Sequence, residues 1–326
     1  MRTIIEVRHL TKKYGSFSAV DSVSFDVHAG EVFGFLGPNG AGKSTTINML
    51  CTTLGVTSGT ALLNGYDIVR EKSRVRENIG IIFQEPSLDE NLTAWENLNL
   101  HCVIYRIKKK IRSERMEKVL KMVDLWDRRS NLVKTFSGGM KRRLEVARGL
   151  LHYPRVLFLD EPTIGLDPQT RSHMWKYIME LKNSEGITIF MTTHYMDEAE
   201  YCDRVAIIDK GRIVALDTPA SLKKAVGGDV IKLKTSDDAA AEAEISGRYG
   251  LNVSKSHDGI FFHATNAEEF LAPFIREFTL PVLTISMSRP TLNDVFLKIT
   301  GREIRDEALS SGDIWRNQMR RHMGRS

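Results

Sequence analysis

The chain has 326 residues, 42% of them hydrophobic and 27% charged, with a formal net charge of +5. That length fits one large domain with a smaller appendage, that composition excludes wholesale disorder, and so modest a charge makes no demand for a nucleic-acid partner. Cys51, Cys102 and Cys202 lack the paired spacing of a zinc site or a disulfide framework and fit a reducing cytosol.

Met1 to Leu10 has no uninterrupted apolar core of the signal-peptide kind, and no window approaches the roughly 20 apolar residues that span a bilayer. Any membrane role is therefore expected to be peripheral.

Thr3 to Arg8 and the alternating Val23, Phe25 and Val27 read as strands, and Glu31 to Leu36 as a third that runs into a glycine-rich turn. That turn, Gly37-Pro38-Asn39-Gly40-Ala41-Gly42-Lys43-Ser44, has the spacing of a phosphate-binding loop. The helix predicted over Ser44 to Leu54 gives it the strand-to-helix setting such a loop needs. Bare glycines let successive N–H groups wrap a phosphate, and the helix N-terminus adds the positive end of its dipole. Lys43 then reaches the outer phosphates, Ser44 suits Mg²⁺, and Thr45 is a further nucleotide contact.

Ala61 to Leu63 and Ile79 to Phe83 follow as short strands. From Thr93 to about Arg129 the pattern turns helical, with Met116, Val119, Leu120 and Val123 at the spacing of one buried face. Strands at Val156 to Leu159, Ile187 to Met191 and Val205 to Ile208 alternate with helical stretches at Thr170 to Leu181 and Met196 to Tyr201. This alternation predicts an α/β fold with a mainly parallel sheet.

The first of those strands delivers Asp160 and Glu161 at its C-terminal end, where ligands collect in open parallel sheets. Alone, an apolar strand ending in an acidic turn is common. Behind a phosphate loop it points to nucleotide hydrolysis, with Asp160 ordering a Mg²⁺ shell and Glu161 accepting a proton from, or orienting, the attacking water.

A break at Ala225 to Asp229 starts a second series of elements. Strands are predicted at Val230 to Leu233, Ile260 to His263 and Val282 to Met287, and helices at Ala239 to Tyr249, Ala267 to Phe278 and Pro290 to Ile299. Residues 229–300 thus read as a small α+β domain and 301–326 as a polar, basic, loosely held tail. No long-period repeat is present, so a single nucleotide unit is expected.

Phe136-Ser137-Gly138-Gly139-Met140, followed closely by the strand with Asp160 and Glu161, resembles the signature of the ATP-binding cassette (ABC) family. The resemblance covers about residues 3–225. It implies a P-loop NTPase cassette over residues 1–225, with an antiparallel N-terminal β subdomain and a helical subdomain at about 93–150. It also implies that Ser137, Gly138 and Gly139 meet the γ-phosphate held by a second cassette, that Tyr14 stacks on adenine, and that Gln84 touches Mg²⁺ and senses a membrane partner. Asp167, in Gly165-Leu166-Asp167-Pro168, matches a loop that crosses the dimer interface, and His194 a switch histidine near the γ-phosphate. Asp followed by Pro equally suits a helix N-cap and first helical position. Phe136 and Met140 stand where the family most often has Leu and Gln, a form that resembles the drug-export branch.

Thr291-Leu-Asn-Asp-Val-Phe-Leu297 followed by Thr300-Gly-Arg-Glu-Ile-Arg305 resembles the tail of daunorubicin-resistance-type exporters, whose transport subunits belong to the ABC-2 class. The resemblance implies an ATPase that uses ATP and Mg²⁺, pairs as a homodimer or with another cassette, and energises export of a drug-like or other amphipathic substrate. A separate ABC-2 type permease would hold it at the cytoplasmic face of the cell membrane, with Glu85 to Leu100 and the helical insert resembling the receiving surface. The alternative is a soluble ABC ATPase acting on nucleic acid or the ribosome. Such relatives carry long coiled coils or two cassettes in one chain, and this chain has neither.

Overall fold

The computed structural model describes residues 2–83, 87–256, 259–264 and 267–301. Gln84 and residues 302–326 lie outside the described residues. The chain opens with the hairpin β1 (Thr3–Tyr14) and β2 (Phe17–His28), then β3 (Val32–Leu36), α1 (Lys43–Leu50), β4 (Ser58–Leu63), β5 (Tyr66–Asp67), α2 (Lys72–Asn78) and β6 (Ile79–Ile82). β1 continues well past Arg8. Register shifts between Val7 and Leu10, with His9 at φ 50°, interrupt the alternation there without ending the strand. α2 buries only Val75, so no apolar period announces it in the sequence.

Next come α3 (Ala94–Ile104), α4 (Lys109–Met122) and α5 (Gly138–Leu150). The helical pattern from Thr93 to Arg129 is thus two helices and a short turn. Arg106 at φ 55° breaks it, and Ile107 N donates back to Cys102 O at 2.9 Å. α3 starts with a capping box, Glu96 N donating to Thr93 Oγ1 (3.1 Å) and Thr93 N to Glu96 Oε2 (2.8 Å).

β7 (Val156–Asp160), α6 (Pro168–Glu185), β8 (Thr188–Thr193), α7 (Met196–Ala199), β9 (Arg204–Asp209), β10 (Arg212–Asp217) and α8 (Pro219–Lys224) complete the larger part. The last stretch holds β11 (Asp229–Thr235), α9 (Asp238–Tyr249), β12 (Val253–Ser256), β13 (Gly259–Ala264), α10 (Ala267–Glu277), β14 (Val282–Ser288) and α11 (Leu292–Thr300).

Three sheets organise these strands: an antiparallel β2-β1-β4-β5, a central β10-β9-β3-β8-β7-β6 and a C-terminal antiparallel β12-β13-β11-β14. The central sheet is parallel from β9 to β6, and β10 joins its edge antiparallel. The strands β3, β6, β7, β8 and β9 are mostly apolar because both of their faces are covered. Alternation then sorts them into two cores. Phe33, Phe35 and Phe190 face the N-terminal antiparallel sheet and meet Phe25 of β2, with rings 5.5–6.0 Å apart, and Phe158 joins the same core through Phe190 at 5.3 Å. Leu36, Leu157, Leu159, Ile189 and Met191 face the helices.

α11 belongs to that second core. Leu292, Val295 and Phe296 are buried in it beside Leu222, Val226, Ala199 and Cys202, and Lys298 Nζ donates to Ala225 O (3.1 Å) and Val226 O (2.9 Å) after α8. The C-terminal sheet has its own core, in which Phe262 and Phe274 are fully enclosed.

Candidate active site

The sheet order places β3, β8 and β7 side by side, pairing Leu36 with Thr193 and Asp160 with Thr192. The segments that leave these strands therefore emerge together at the C-terminal edge of the parallel strands. They are the loop 37–44, the pair Asp160 and Glu161, and the turn through His194.

The loop is held by backbone bonds to β8 and within itself. Gly37 N donates to Thr193 O (3.3 Å) and Ala41 N to Pro38 O (3.2 Å). Gly42 caps α1 at φ 106°, and a Cβ there would lie 2.5 Å from Ala19 O, so only glycine fits. Lys43 is buried, and its Nζ donates to Gly37 O (2.8 Å) and Pro38 O (3.1 Å) and pairs with Glu161 Oε1 at 3.2 Å. Burial pushes the Lys43 ammonium down while Glu161 beside it pulls the other way, and burial prevails.

A cavity of about 490 Å³ spans this loop, with Asn39, Gly40, Gly42, Ser44 and Thr45 in its lining along with Lys43 and Glu161. Tyr14 lines it too and stands 52% exposed, and so does Phe17 at 63%, an aromatic that the sequence reading missed. The two are direct partners across the β1–β2 pairing. Two exposed aromatics at a hairpin end were the available signal.

Asp160 Oδ1 accepts from Ser44 Oγ (3.2 Å) and Thr192 Oγ1 (2.5 Å), and Thr192 Oγ1 accepts from Glu161 N (3.0 Å). Glu161 adopts φ 47°, a left-handed conformation uncommon for a side-chain-bearing residue and typical of functional turns. Its second oxygen lies 3.3 Å from His194 Nδ1. Burial raises the Glu161 carboxyl, but the His194 bond and the Lys43 charge together hold it below the usual glutamate range.

Ser137, Gly138 and Gly139 do not join this cluster. Ser137 caps α5, accepting from Met140 N at 3.3 Å. Ser137 and Gly139 line a second cavity of about 470 Å³, which shares no residue with the first. A Cβ on Gly139 would lie 2.6 Å from Thr170 Cγ2. Thr170 in turn donates from N (2.9 Å) and Oγ1 (2.6 Å) to Asp167, which caps α6 ahead of Pro168. The helix-cap alternative for Asp167 is thus the geometry within this chain. Phe136 is buried in the helical core and Met140 packs against it.

Sequence reasoning missed the α5 residues that tie these parts together. Arg142 is buried and donates to Pro162 O (2.8 Å), Phe83 O (2.6 Å) and Asp160 O (3.3 Å), gripping the backbone on both sides of Glu161. It also pairs with Glu145 at 2.9 Å, and Glu145 accepts from Ser87 N at 2.9 Å. Phe83 and Ser87 flank the segment that holds Gln84, so α5 grips the described backbone on either side of it. Only the fold brings these residues together, and no local motif marks them.

The ABC transporter family model matches residues 20–164, which span the phosphate loop, the Ser137 turn and Glu161. The chain is also 37% identical over 312 residues to the linearmycin resistance ATP-binding protein LnrL of Bacillus subtilis (strain 168), covering 93% of this chain and all of that one. The chain belongs to the ATP-binding proteins of ABC transporters. The daunorubicin/doxorubicin resistance ATP-binding protein DrrA of Streptomyces peucetius is 39% identical over 316 residues, covering 93% of this chain and 94% of that protein. Among solved structures, the ABC transporter protein cbiO1 from Clostridium perfringens aligns with a TM-score of 0.64 at 28% identity, over 77% of this chain and 97% of that one. A dimeric ATP-binding cassette in a post-hydrolysis state bound to ADP and Pi aligns at 0.60 and 28%, over 66% and 98%. The chain is accordingly the ATP-binding, ATP-hydrolysing subunit of an ABC transporter, built on the P-loop cassette fold.

Proposed function

We propose that this ATPase energises export of a drug-like or other amphipathic substrate through a separate ABC-2 type permease, from the cytoplasmic face of the cell membrane. Relatives named for linearmycin and daunorubicin resistance, matched over nearly the whole chain, support the export reading. No helix among the described residues is long and apolar enough to cross a membrane, which suits peripheral attachment. We assign residues 1–225 to the cassette, with a helical subdomain at about 93–150, and 229–300 to an accessory domain that stabilises the dimer or tunes the ATPase.

The observation that carries the mechanism is the contact of Glu161 with both Lys43 (3.2 Å) and His194 (3.3 Å) at the phosphate-loop cavity. Phosphoryl transfer needs positioning and charge stabilisation more than covalent help. Backbone N–H groups of the loop and the start of α1 would hold the phosphates, Lys43 would exchange its loop carbonyls for phosphate oxygens, and Tyr14 would carry the adenine. Glu161 would take the proton of the attacking water, with His194 fixing its orientation. Ser44 and Asp160 offer two adjacent oxygen ligands, and among the described residues no cluster of three or more His, Cys, Asp or Glu surrounds them. That sparse oxygen set fits Mg²⁺, which takes its other ligands from phosphates and water and would neutralise phosphate charge there, with Gln84 as a further ligand.

Two cavities without a shared residue support a head-to-tail homodimer, in which Ser137 and Gly139 of one chain complete the site of the other and Asp167 lies at the interface. ATP binding would close the pair and hydrolysis would release it. Co-purification with a polytopic membrane protein tests the transport assignment. Recovery with ribosomes instead, and no membrane partner, would overturn it.

A further inference from the structure

We propose that Glu198 is a positioning residue for hydrolysis: its carboxylate fixes the turn that carries Glu161 against the turn that carries His194. The inference rests on the reading of Glu161 as the water-activating group.

Glu198 lies in α7, is 1% exposed, and is not part of the nucleotide-cavity lining. One oxygen accepts from Thr163 Oγ1, two residues after Glu161. The other accepts from Thr193 Oγ1 at 2.6 Å, one residue before His194. Both threonines are buried. A single carboxylate therefore spans the exits of β7 and β8.

Tyr195 N donates to Thr193 Oγ1 at 2.9 Å, which leaves the Thr193 hydroxyl proton available to Glu198. The Thr163 hydroxyl can turn to donate or accept. Arg171 supplies countercharge: its Nε is 3.8 Å from the carboxylate and its guanidinium carbon 4.2 Å from the Tyr195 ring centroid. Burial pushes the Glu198 carboxyl up and the two hydroxyls and Arg171 pull it down, with burial the larger. A buried carboxyl is destabilising unless its hydrogen bonds are made, and here they join two catalytic turns.

Such an arrangement answers what holds Glu161 at its left-handed φ, which persists only where the surroundings over-determine it. Thr192 holds the Glu161 amide, Arg142 the Pro162 carbonyl, and Glu198 the Thr163 side chain. Without the third, the Glu161 carboxylate loses its fixed distance to His194.

The test uses the full chain and separates geometry from charge. Glu198→Gln can present its carbonyl to Thr193 and its amide to a turned Thr163, so kcat should stay within about threefold of the unmutated protein. Glu198→Met has similar length but cannot accept, so kcat should fall by about 10- to 100-fold with the ATP KM changed less than about twofold. Thr193→Val should reproduce that loss, and the double variant Thr193→Val with Glu198→Met should be no worse than either alone. Thr193→Val carries the test if Glu198→Met proves too unstable. Unchanged kcat in Glu198→Met and Thr193→Val, a loss shared by Glu198→Gln, or a loss confined to KM would overturn the proposal. Glu161→Gln is run alongside. If it hydrolyses ATP normally, the reading of Glu161 fails. If it is inactive while Glu198→Met is normal, only the positioning role fails.

Discussion

Lys43 Nζ lies 3.2 Å from Glu161 Oε1, so the cation of the phosphate loop and the carboxylate at the end of β7 form one buried ion pair. Lys43→Ala removes the pair and a phosphate contact together, and should weaken ATP binding and lower turnover by about 10²-fold or more. Glu161→Gln should keep ATP binding, accumulate an ATP-bound dimer in gel filtration, and lose steady-state hydrolysis.

The same contacts set a pH prediction. Burial raises the Glu161 carboxyl, but His194 and Lys43 hold it below its usual range, so it stays ionised throughout the neutral region. Hydrolysis by the unmutated chain should show no acid limb from Glu161 above about pH 5. His194→Ala removes the largest lowering contact, so the limb should move to higher pH in the residual rate profile.

Gly139 and Thr170 form a packing pair that joins the start of α5 to the Asp167 cap. Gly139→Ala would set a methyl 2.6 Å from Thr170 Cγ2, and overpacking of that kind destabilises by about 1–3 kcal/mol. Adding Thr170→Ser removes the clashing methyl and keeps the hydroxyl that serves Asp167. The double variant should regain the thermal stability lost in Gly139→Ala, and equal melting temperatures for the two would refute this account.

Arg142 and Glu145 are buried as a pair. Arg142→Met removes the hydrogen-bonded cation of the Glu145 carboxylate, leaving it only the Arg148 charge nearby, and should destabilise by about 3 kcal/mol in urea unfolding. Arg142→Met with Glu145→Met should recover much of that stability. It should not recover turnover, because the carbonyls of Asp160 and Pro162 still lack their donor.

His101, on α3, gives the fold a separate acid sensitivity. Burial, with the Arg148 and His152 charges beside it, pushes its imidazole from 6.5 down to about 4. The unfolded chain therefore takes up a proton near pH 6.5 that the folded chain refuses until about pH 4. Stability is fully present above the upper value and is lost as pH falls through that window. His101→Gln should flatten this part of the pH dependence in urea unfolding.

The contiguous parts of the site were readable because their chemistry is local. The loop 37–44 and Asp160 with Glu161 each combine residue type, spacing and strand or helix context within a few positions. Arg142, Thr192 and Glu198 were not readable, since each acts on backbone or side chains that only the β3-β8-β7 order brings near. Among the elements, the apolar strands of the central sheet stood out because both faces are buried. β10 did not, as its residues are all exposed or only half-buried. The division of the helical insert at Arg106 had no glycine or proline to announce it.

α11 lends Leu292, Val295 and Phe296 to the core that also holds Leu222 and Val226. Burial of three such side chains is worth on the order of 5 kcal/mol. A chain ending at residue 228 should therefore melt at lower temperature and bind hydrophobic dye, and restoring α11 on a flexible tether should reverse both. Shuffling of this C-terminal region between relatives is constrained for the same reason. A replacement must bring a helix whose apolar face fits the resident α7 and α8, so the two halves of the gene are expected to diverge in step.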